Sequence, residues 1–342
     1  MPRLTQDLAE SERSHALRVH ILHPPKEGEF QHLLSLLDSD VVVTTGVESL
    51  AADTDVLVHG RPSPEQLAMC SQLKALIIPY AGVPAETRTQ LLETHPALPV
   101  YNLHHNAVSA SELALALLLA AAKTVVPVDR TFRAHDWRSR YDGAPTMLLD
   151  GKTAVILGLG AIGSRLAKAC HVLGMNVHAV RRHVDTSQPD TPIKIHSLDA
   201  LPTLLPLADV LCVALPLTSE TEGLLGAREI DALPSPCVLV NIARGAIIEE
   251  ESLYLALKSG RITAAGLDVW YSYPRTPEAQ ANTPPSKFPF HELDNVVMSP
   301  HRGGAFRLQE LEQRRMTDLA QTLNALTRGN SVPHRVDLHQ GY

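Results

Sequence analysis

Cysteine is sparse in this sequence. The four present, Cys70, Cys170, Cys212 and Cys237, stand far apart, without a C-x-x-C pair or metal-ligand spacing, and each falls in an apolar strand or helix pattern. They read as buried thiols of a reducing compartment, which excludes a disulfide framework and gives no metal site. An excess of positive charge is also lacking. Lys and Arg number 30 against 37 Asp and Glu, a formal net charge of -7, so nucleic acid and anionic membrane are poor partners and a small molecule is the better one. No long hydrophobic run is present either. The most apolar, Leu113 to Ala122, is too short to cross a bilayer, and the polar opening MPRLTQDLAESERSHA has no apolar core of a secretory signal. The expected location is therefore cytoplasmic. What remains is ordinary for a globular protein, 44% hydrophobic and 20% charged, with aromatics at 4%. A chain of 342 residues exceeds the size of about 250 to 300 at which single cores stop growing, so two domains are expected.

The most informative stretch is Thr153 to Leu173. An apolar run, Thr153 to Leu157, reads as a buried strand, and Gly158-Leu159-Gly160-Ala161-Ile162-Gly163 then spells G-x-G-x-x-G ahead of a helical pattern. Ile162, Leu166, Ala169 and Leu173 share one face of that helix. In a dinucleotide site Gly158 makes the sharp turn, Gly160 admits the pyrophosphate, and Gly163 lets helix and strand approach. The anion sits on the unpaired N-H groups of the helix start. The competing reading is a glycine-rich turn with no ligand.

Upstream, strand and helix patterns alternate: strands at Leu17–Leu22, Val41–Thr45, Val56–His59, Ala75–Pro79 and Val100–Leu103, helices at Glu27–Leu37, Pro64–Leu73 and Pro84–Thr94. Such alternation implies a parallel sheet covered on both faces. Its ligand edge is the carboxyl end, where Tyr80-Ala81-Gly82-Val83 and His104-His105-Asn106 follow strands. Ser109 with Glu112 has the capping-box spacing for a Leu/Ala helix reaching about Thr124, read as crossing between domains. A second helical segment runs from Val128 to about Arg138. Later strands are expected at Val177–Val180, Val210–Ala214, Cys237–Asn241, Ala264–Val269 and Val296–Ser299. Tyr271 to Leu293 is proline-rich and irregular, and a last helix, about Ala305 to Thr327, carries an apolar stripe that returns to the first domain.

Charged residues follow several of these strands. After Val180 come Arg181, Arg182 and His183 where an NAD site would place a carboxylate; Arg181 lies 18 residues past Gly163, and two guanidinium groups suit the 2'-phosphate of NADP. A solvated basic pair is the plain alternative. Arg244 follows the Cys237–Asn241 strand and suits a substrate carboxylate. Asp268 ends the next strand, and His301 follows the last, where an imidazole can serve as acid or base.

These motifs, GLGAIG at Gly158–Gly163, LPLTSET at Leu215–Thr221, NIARG at Asn241–Gly245, GLDV at Gly266–Val269 and SPHRGG at Ser299–Gly304, resemble those of the D-isomer-specific 2-hydroxyacid dehydrogenase family. That family includes glyoxylate/hydroxypyruvate reductases and phosphoglycerate, phosphite and formate dehydrogenases. The resemblance implies an α/β fold of two doubly wound parallel-sheet domains. A Rossmann NAD(P)-binding domain, residues 105–301, is inserted in a flavodoxin-like substrate domain, residues 1–104 with 302–342. It implies Arg244 as the carboxylate-binding arginine, His301 as proton donor, and Asp268 with the Ala243 backbone at the nicotinamide amide. Pro216 and Thr221 line the coenzyme site beside Gly158, Gly160, Ala161, Ile162 and Gly163. Tyr80, Ala81, Gly82, Val83 and Asn106 lie against substrate, in a cleft between the lobes. Members are usually homodimers through the long arm helix, so Trp137 and Tyr141 are either interface packing or reach a neighbour's site.

One position departs from the pattern. The family pairs its histidine with a glutamate five residues past the aspartate of GLDV, where this chain has Tyr273. A phenol can orient an imidazole by hydrogen bonding without raising its pKa; alternatively Glu278, His291 or Glu292 supplies the partner. The expected activity is NAD(P)H-dependent reduction of a small anionic 2-oxoacid, with NADP(H) preferred because of Arg181 and Arg182. Oxidation of formate or phosphite, and a catalytically weak dinucleotide-sensing scaffold, are the alternatives.

Overall fold

The computed structural model describes residues 16–182, 184, 192–304 and 308–342. In chain order the elements begin β1 (Leu17–Ile21), α1 (Glu27–Leu36), β2 (Val41–Thr45), β3 (Val56–Val58), α2 (Pro64–Met69), β4 (Ala75–Ile78), α3 (Ala85–Thr94) and β5 (Val100–Asn102). There follow α4 (Ala107–Ala122), α5 (Val125–Phe132), α6 (Ser139–Asp142), β6 (Thr153–Leu157), α7 (Ala161–Val172), β7 (Asn176–Val180), β8 (Ile193–His196), α8 (Leu201–Leu204), β9 (Val210–Val213), α9 (Ala227–Ala232), β10 (Val238–Asn241), α10 (Glu250–Lys258), β11 (Ala264–Leu267) and β12 (Val296–Met298). The chain ends with α11 (Gln309–Thr327) and β13 (Arg335–Val336).

Two compact units result, Met1–Asn106 with Arg307–Tyr342, and Ala107–Phe306. In the first, the strand order is β13-β5-β4-β3-β1-β2, parallel throughout except that β13 pairs antiparallel with β5. The order 2-1-3-4-5 is that of flavodoxin-like sheets. Side chains alternate across it: Val19, Ile77, Leu33 and Leu319 pack on the α1/α11 face, and Leu57, Leu76, Ile78, Leu67 and Leu91 on the other. Every residue of β4 is buried, as a central parallel strand covered on both sides requires.

The second unit holds a sheet of order β12-β11-β10-β9-β6-β7-β8, parallel in every pair. Ala114, Leu118 and Leu166 of α4 and α7 cover one face with Ala154, Ile156 and Val240, while Leu253, Leu257 and Phe290 join Val155, Leu211 and Leu239 on the other. The order of connection reverses between β6 and β9. Open α/β sheets bind ligands at such a switch point, beyond the carboxyl ends of the strands.

Several elements differ from the sequence reading. The capping box expected at Ser109 is not used, because α4 begins at Ala107 and Ser109 lies inside its first turn. That helix also belongs wholly to the second unit, burying Leu117 and Leu118 on the large sheet, rather than crossing between units. The next helix runs over Val125–Phe132 instead of Val128 to Arg138, since Thr124 breaks the chain direction at φ 50°. Strands β8 and β13 add to the expected set. The stretch from Tyr271 to Leu293 is irregular as expected, yet anchored: Phe290 is buried between Trp270 and Tyr254, and the Ser286 hydroxyl and Lys287 N-H both donate to Glu250 Oε1. All four cysteines are buried free thiols, and burial pushes Cys170 and Cys237 up to about 12. No single helix among the described residues is long and apolar enough to cross a membrane.

Candidate active site

The turn from β6 into α7 lies at the switch point, and its glycines divide by function. Gly158 has φ +99°, and a Cβ there would lie 2.5 Å from the Ala214 carbonyl oxygen, so the loops after β6 and β9 touch at this residue. A Cβ on Gly163 would overlap the Gly158 carbonyl oxygen. The fold itself therefore requires both. Around Gly160 a Cβ would meet no atom within 4 Å, so packing does not explain this glycine, whereas a dinucleotide whose pyrophosphate approaches the backbone does. Ala161 and Ile162 then open α7, and the helix buries Gly163, Leu166, Ala167 and Cys170, with Ile162 and Leu173 partly buried at the margin.

Across the switch point, the loop after β9 is tied upon itself. Thr221 Oγ1 donates to the Pro216 carbonyl at 2.6 Å and accepts from Thr218 N-H at 2.8 Å, holding Pro216 in place beside the glycine turn. Beyond β7, Arg181 N-H donates to the His196 carbonyl of β8, and the Arg182 guanidinium pairs with Glu220 at 2.6 Å. His183 lies outside the described residues.

At the ends of β10, β11 and β12 three motifs converge. Asn241, 1% exposed, accepts from Ala243 N-H and donates to the Arg244 carbonyl, each at 3.0 Å, which shapes the chain around Arg244. The Arg244 guanidinium donates to the Ala243 carbonyl at 2.7 Å and has no carboxylate partner among the described residues. Burial lowers its pKa, while Tyr273 acts the other way. Asp268, 1% exposed, accepts at Oδ1 from the Ser299 hydroxyl and Arg302 N-H and at Oδ2 from Gly303 N-H. These bonds bracket His301, whose φ of 57° is a left-handed conformation that costs about 1 to 3 kcal/mol and persists only when its surroundings enforce it. Trp270 adds to the enforcement, donating its indole N-H to the Ser299 carbonyl at 2.8 Å.

His301 is pushed below the ordinary histidine range by burial, further by the Arg244 guanidinium, and is partly restored by Asp268. Tyr273 stands beside it, ring centroids 5.5 Å apart and tilted by 56°. The phenol does not orient the imidazole by a hydrogen bond, as the sequence suggested; its oxygen instead accepts from Trp270 N-H at 3.0 Å. Glu278, His291 and Glu292 are exposed, and among the described residues no hydrogen bond or ion pair joins any of them to His301. Asn241, Trp270 and Ser299 are the supporting residues that the sequence reading passed over, although Asn241 and Ser299 stand inside the quoted motifs.

In the first unit, Tyr80-Ala81-Gly82-Val83 follows β4. Asn102 fixes this loop, donating to the Ala81 carbonyl at 2.5 Å while its Oδ1 bonds His104 Nε2 at 3.0 Å. Burial drives His104 and His105 down to about 4, helped by His334 and by Arg315 respectively, so both are neutral near pH 7. Asn106 Oδ1 is buried with no hydrogen-bond partner among the described residues. Among the described residues no group of His, Cys, Asp and Glu could hold a metal ion.

The sequence profile of the D-isomer specific 2-hydroxyacid dehydrogenase, NAD binding domain, matches residues 115–303. D-3-phosphoglycerate dehydrogenase of Archaeoglobus fulgidus is 32% identical over 313 residues, covering 87% of this chain and 55% of its own length. Glyoxylate reductase of Aeropyrum pernix is 36% identical over 235 residues, covering 67% of this chain and 66% of its own. The chain thus spans about half the length of the phosphoglycerate dehydrogenases it matches. A D-isomer specific 2-hydroxyacid dehydrogenase from Xanthobacter autotrophicus Py2, solved with NADPH and MES, shares the fold over 96% of this chain and all of its own, with TM-score 0.78 and 22% identity. With its glycine turn at the switch point and its nucleotide-binding unit matched over 115–303, this chain belongs to the D-isomer specific 2-hydroxyacid dehydrogenase family.

Proposed function

We propose that this protein is an NAD(P)H-dependent 2-oxoacid reductase, or in reverse a D-2-hydroxyacid dehydrogenase, acting on a small anionic substrate. The observation that carries this reading is that Arg244 and His301 stand past the ends of β10 and β12, with the Tyr273 ring against His301, at the same sheet edge as the glycine turn. A guanidinium without a carboxylate partner is built to take one, through two parallel hydrogen bonds, and it draws electron density from the adjacent carbonyl. His301 gives its proton to the oxygen that becomes the hydroxyl, and takes it back in the oxidative direction. Gly158, Gly160, Ala161, Ile162 and Gly163 hold the coenzyme pyrophosphate, Pro216 and Thr221 flank it, and the Ala243 backbone and Asp268 lie toward the nicotinamide. When bound, the coenzyme supplies or accepts the hydride at substrate C2.

NADP(H) is the preferred coenzyme, because Arg181 and Arg182 stand where a 2'-hydroxyl partner would otherwise be a carboxylate, and the NADPH complex of the Xanthobacter structure supports the same choice. The chain forms a homodimer through its arm, where Phe132 is 49%, Trp137 58% and Tyr141 74% exposed. Steady-state assays of glyoxylate, hydroxypyruvate, pyruvate and bulkier 2-oxoacids, each with NADPH and with NADH, test the reading. Turnover of at least one oxoacid, faster with NADPH, is expected; no turnover across the panel refutes it. One observation favours a second reading, oxidation of formate or phosphite: among the described residues no hydrogen bond or ion pair joins a carboxylate to His301, and Asp268 is engaged by Ser299, Arg302 and Gly303. NADPH formation from either anion, without oxoacid reduction, would establish that reading instead.

A further inference from the structure

Tyr273 stands against His301, at the position where the family pairs its histidine with a glutamate. Its oxygen accepts from Trp270 N-H at 3.0 Å, and one side of its ring lies against the His301 imidazole with centroids 5.5 Å apart, while the residue as a whole is 44% exposed. Its own O-H is left over: no described residue accepts it. Asp268 already takes the Ser299 hydroxyl and the N-H groups of Arg302 and Gly303. The phenol also remains protonated near neutral pH, since burial pushes it up and outweighs the opposing pull of Trp270 N-H and Arg244. An uncharged donor thus stands against His301, at the sheet edge where the largely buried Arg244 guanidinium has no carboxylate partner among the described residues. Both present hydrogens, and neither neutralises the other.

We propose that Tyr273 is a substrate-positioning residue: its ring seats the His301 imidazole, and its O-H is donated to the carboxylate that Arg244 holds. This rests on the reading of Arg244 as the carboxylate-binding arginine. A glutamate at 273 could not do the same, because an ionised carboxylate only accepts hydrogen bonds and has no O-H to donate. The tyrosine leaves the guanidinium's charge to the substrate and adds a third hydrogen bond to the anion.

The test compares wild type, Tyr273→Phe, Tyr273→Glu and Arg244→Ala as NADPH complexes, titrated calorimetrically with oxamate, an unreactive 2-oxoacid analogue, and assayed with glyoxylate. Removing one hydrogen bond to a charged group should weaken oxamate about 10-fold in Tyr273→Phe and raise the glyoxylate KM by a similar factor. The kcat should stay within about 3-fold, as expected for lost uniform binding, with NADPH affinity and melting temperature unchanged. Tyr273→Glu should bind oxamate more weakly than Tyr273→Phe. Equal oxamate affinity in wild type and Tyr273→Phe, or a fall in kcat with KM unmoved, overturns the role of Tyr273 while leaving that of Arg244 intact. Wild-type enzyme that binds NADPH but neither oxamate nor glyoxylate overturns both.

Discussion

Arg182 and Arg244 stand at the same edge of the same sheet, beyond β7 and β10, and differ in what surrounds them. Arg182 is paired with Glu220, the two side chains 32% and 65% exposed. Arg244 is largely buried, turned back on the Ala243 carbonyl, and has no carboxylate partner among the described residues. An exposed pair is worth about 0 to 1 kcal/mol and can be exchanged for another anion at little cost. A buried cation without a counter-ion costs several kcal/mol, which the rest of the fold must carry and which an incoming anion can offset. The first arrangement suits tuning, the second obligatory recognition.

Replacing the buried arginine should therefore have the largest effect. Arg244→Ala is expected to lower kcat/KM for glyoxylate by about 1,000-fold, corresponding to about 4 kcal/mol of lost charge-assisted contact, with NADPH affinity preserved in a fluorescence titration. Loss below 10-fold would mean the guanidinium does not hold the substrate.

The same replacement should shift a neighbour. Arg244 and burial both disfavour the His301 imidazolium, so its ring resonances should titrate below the ordinary value of about 6.5 in an NMR titration, and move upward in Arg244→Ala. The proton-donating form exists only below that pKa, so kcat/KM for reduction should fall about 10-fold per pH unit above it, whereas oxidation, which uses the neutral ring, should reach a plateau. A His301 that titrates above 7 would contradict the electrostatics of this edge.

Effects at the exposed arginine should be smaller and confined to one coenzyme. Arg182→Ala should raise the KM for NADPH by about 10-fold through loss of one phosphate contact and leave that for NADH within about 2-fold; equal changes for both would remove the 2'-phosphate role. The mildest change is expected for Glu220→Gln, which removes the carboxylate charge that faces Arg182. The NADPH KM should fall by about 2-fold, and the melting temperature should move by no more than about 2 °C, as for a surface ion pair.

Parallel strands buried on both faces are continuous apolar runs, so β4 (ALII) and β10 (VLVN) are plain in the sequence. β8 (IKIH) is not, since it lies at the edge of the large sheet beyond β7 and carries a lysine and a histidine. β13 consists of Arg335 and Val336 alone, and exists only because Tyr101 and Val100 are there to pair with it. The Ser109–Glu112 spacing failed as a helix start because α4 gains burial from Ala107 onward, and tertiary packing outweighs a capping preference of about 1 kcal/mol. At the site, Arg244 and His301 were visible as polar residues just past strand ends. The two-sided grip of Asp268 on the His301 loop was not, because Asp268 reads as one more residue past a strand end until Ser299, Arg302 and Gly303 are seen around it.

By itself, the sequence determined the alternation of strands and helices, the glycine turn and the set of polar groups at strand ends, because burial demands apolar runs and close backbone approach demands glycine. Only the tertiary structure decided what those polar groups do. Asp268 meets donors 31 to 35 residues away and Arg182 an acceptor 38 away. Whether a guanidinium ends paired in solvent or buried awaiting an anion depends on neighbours that chain order does not record.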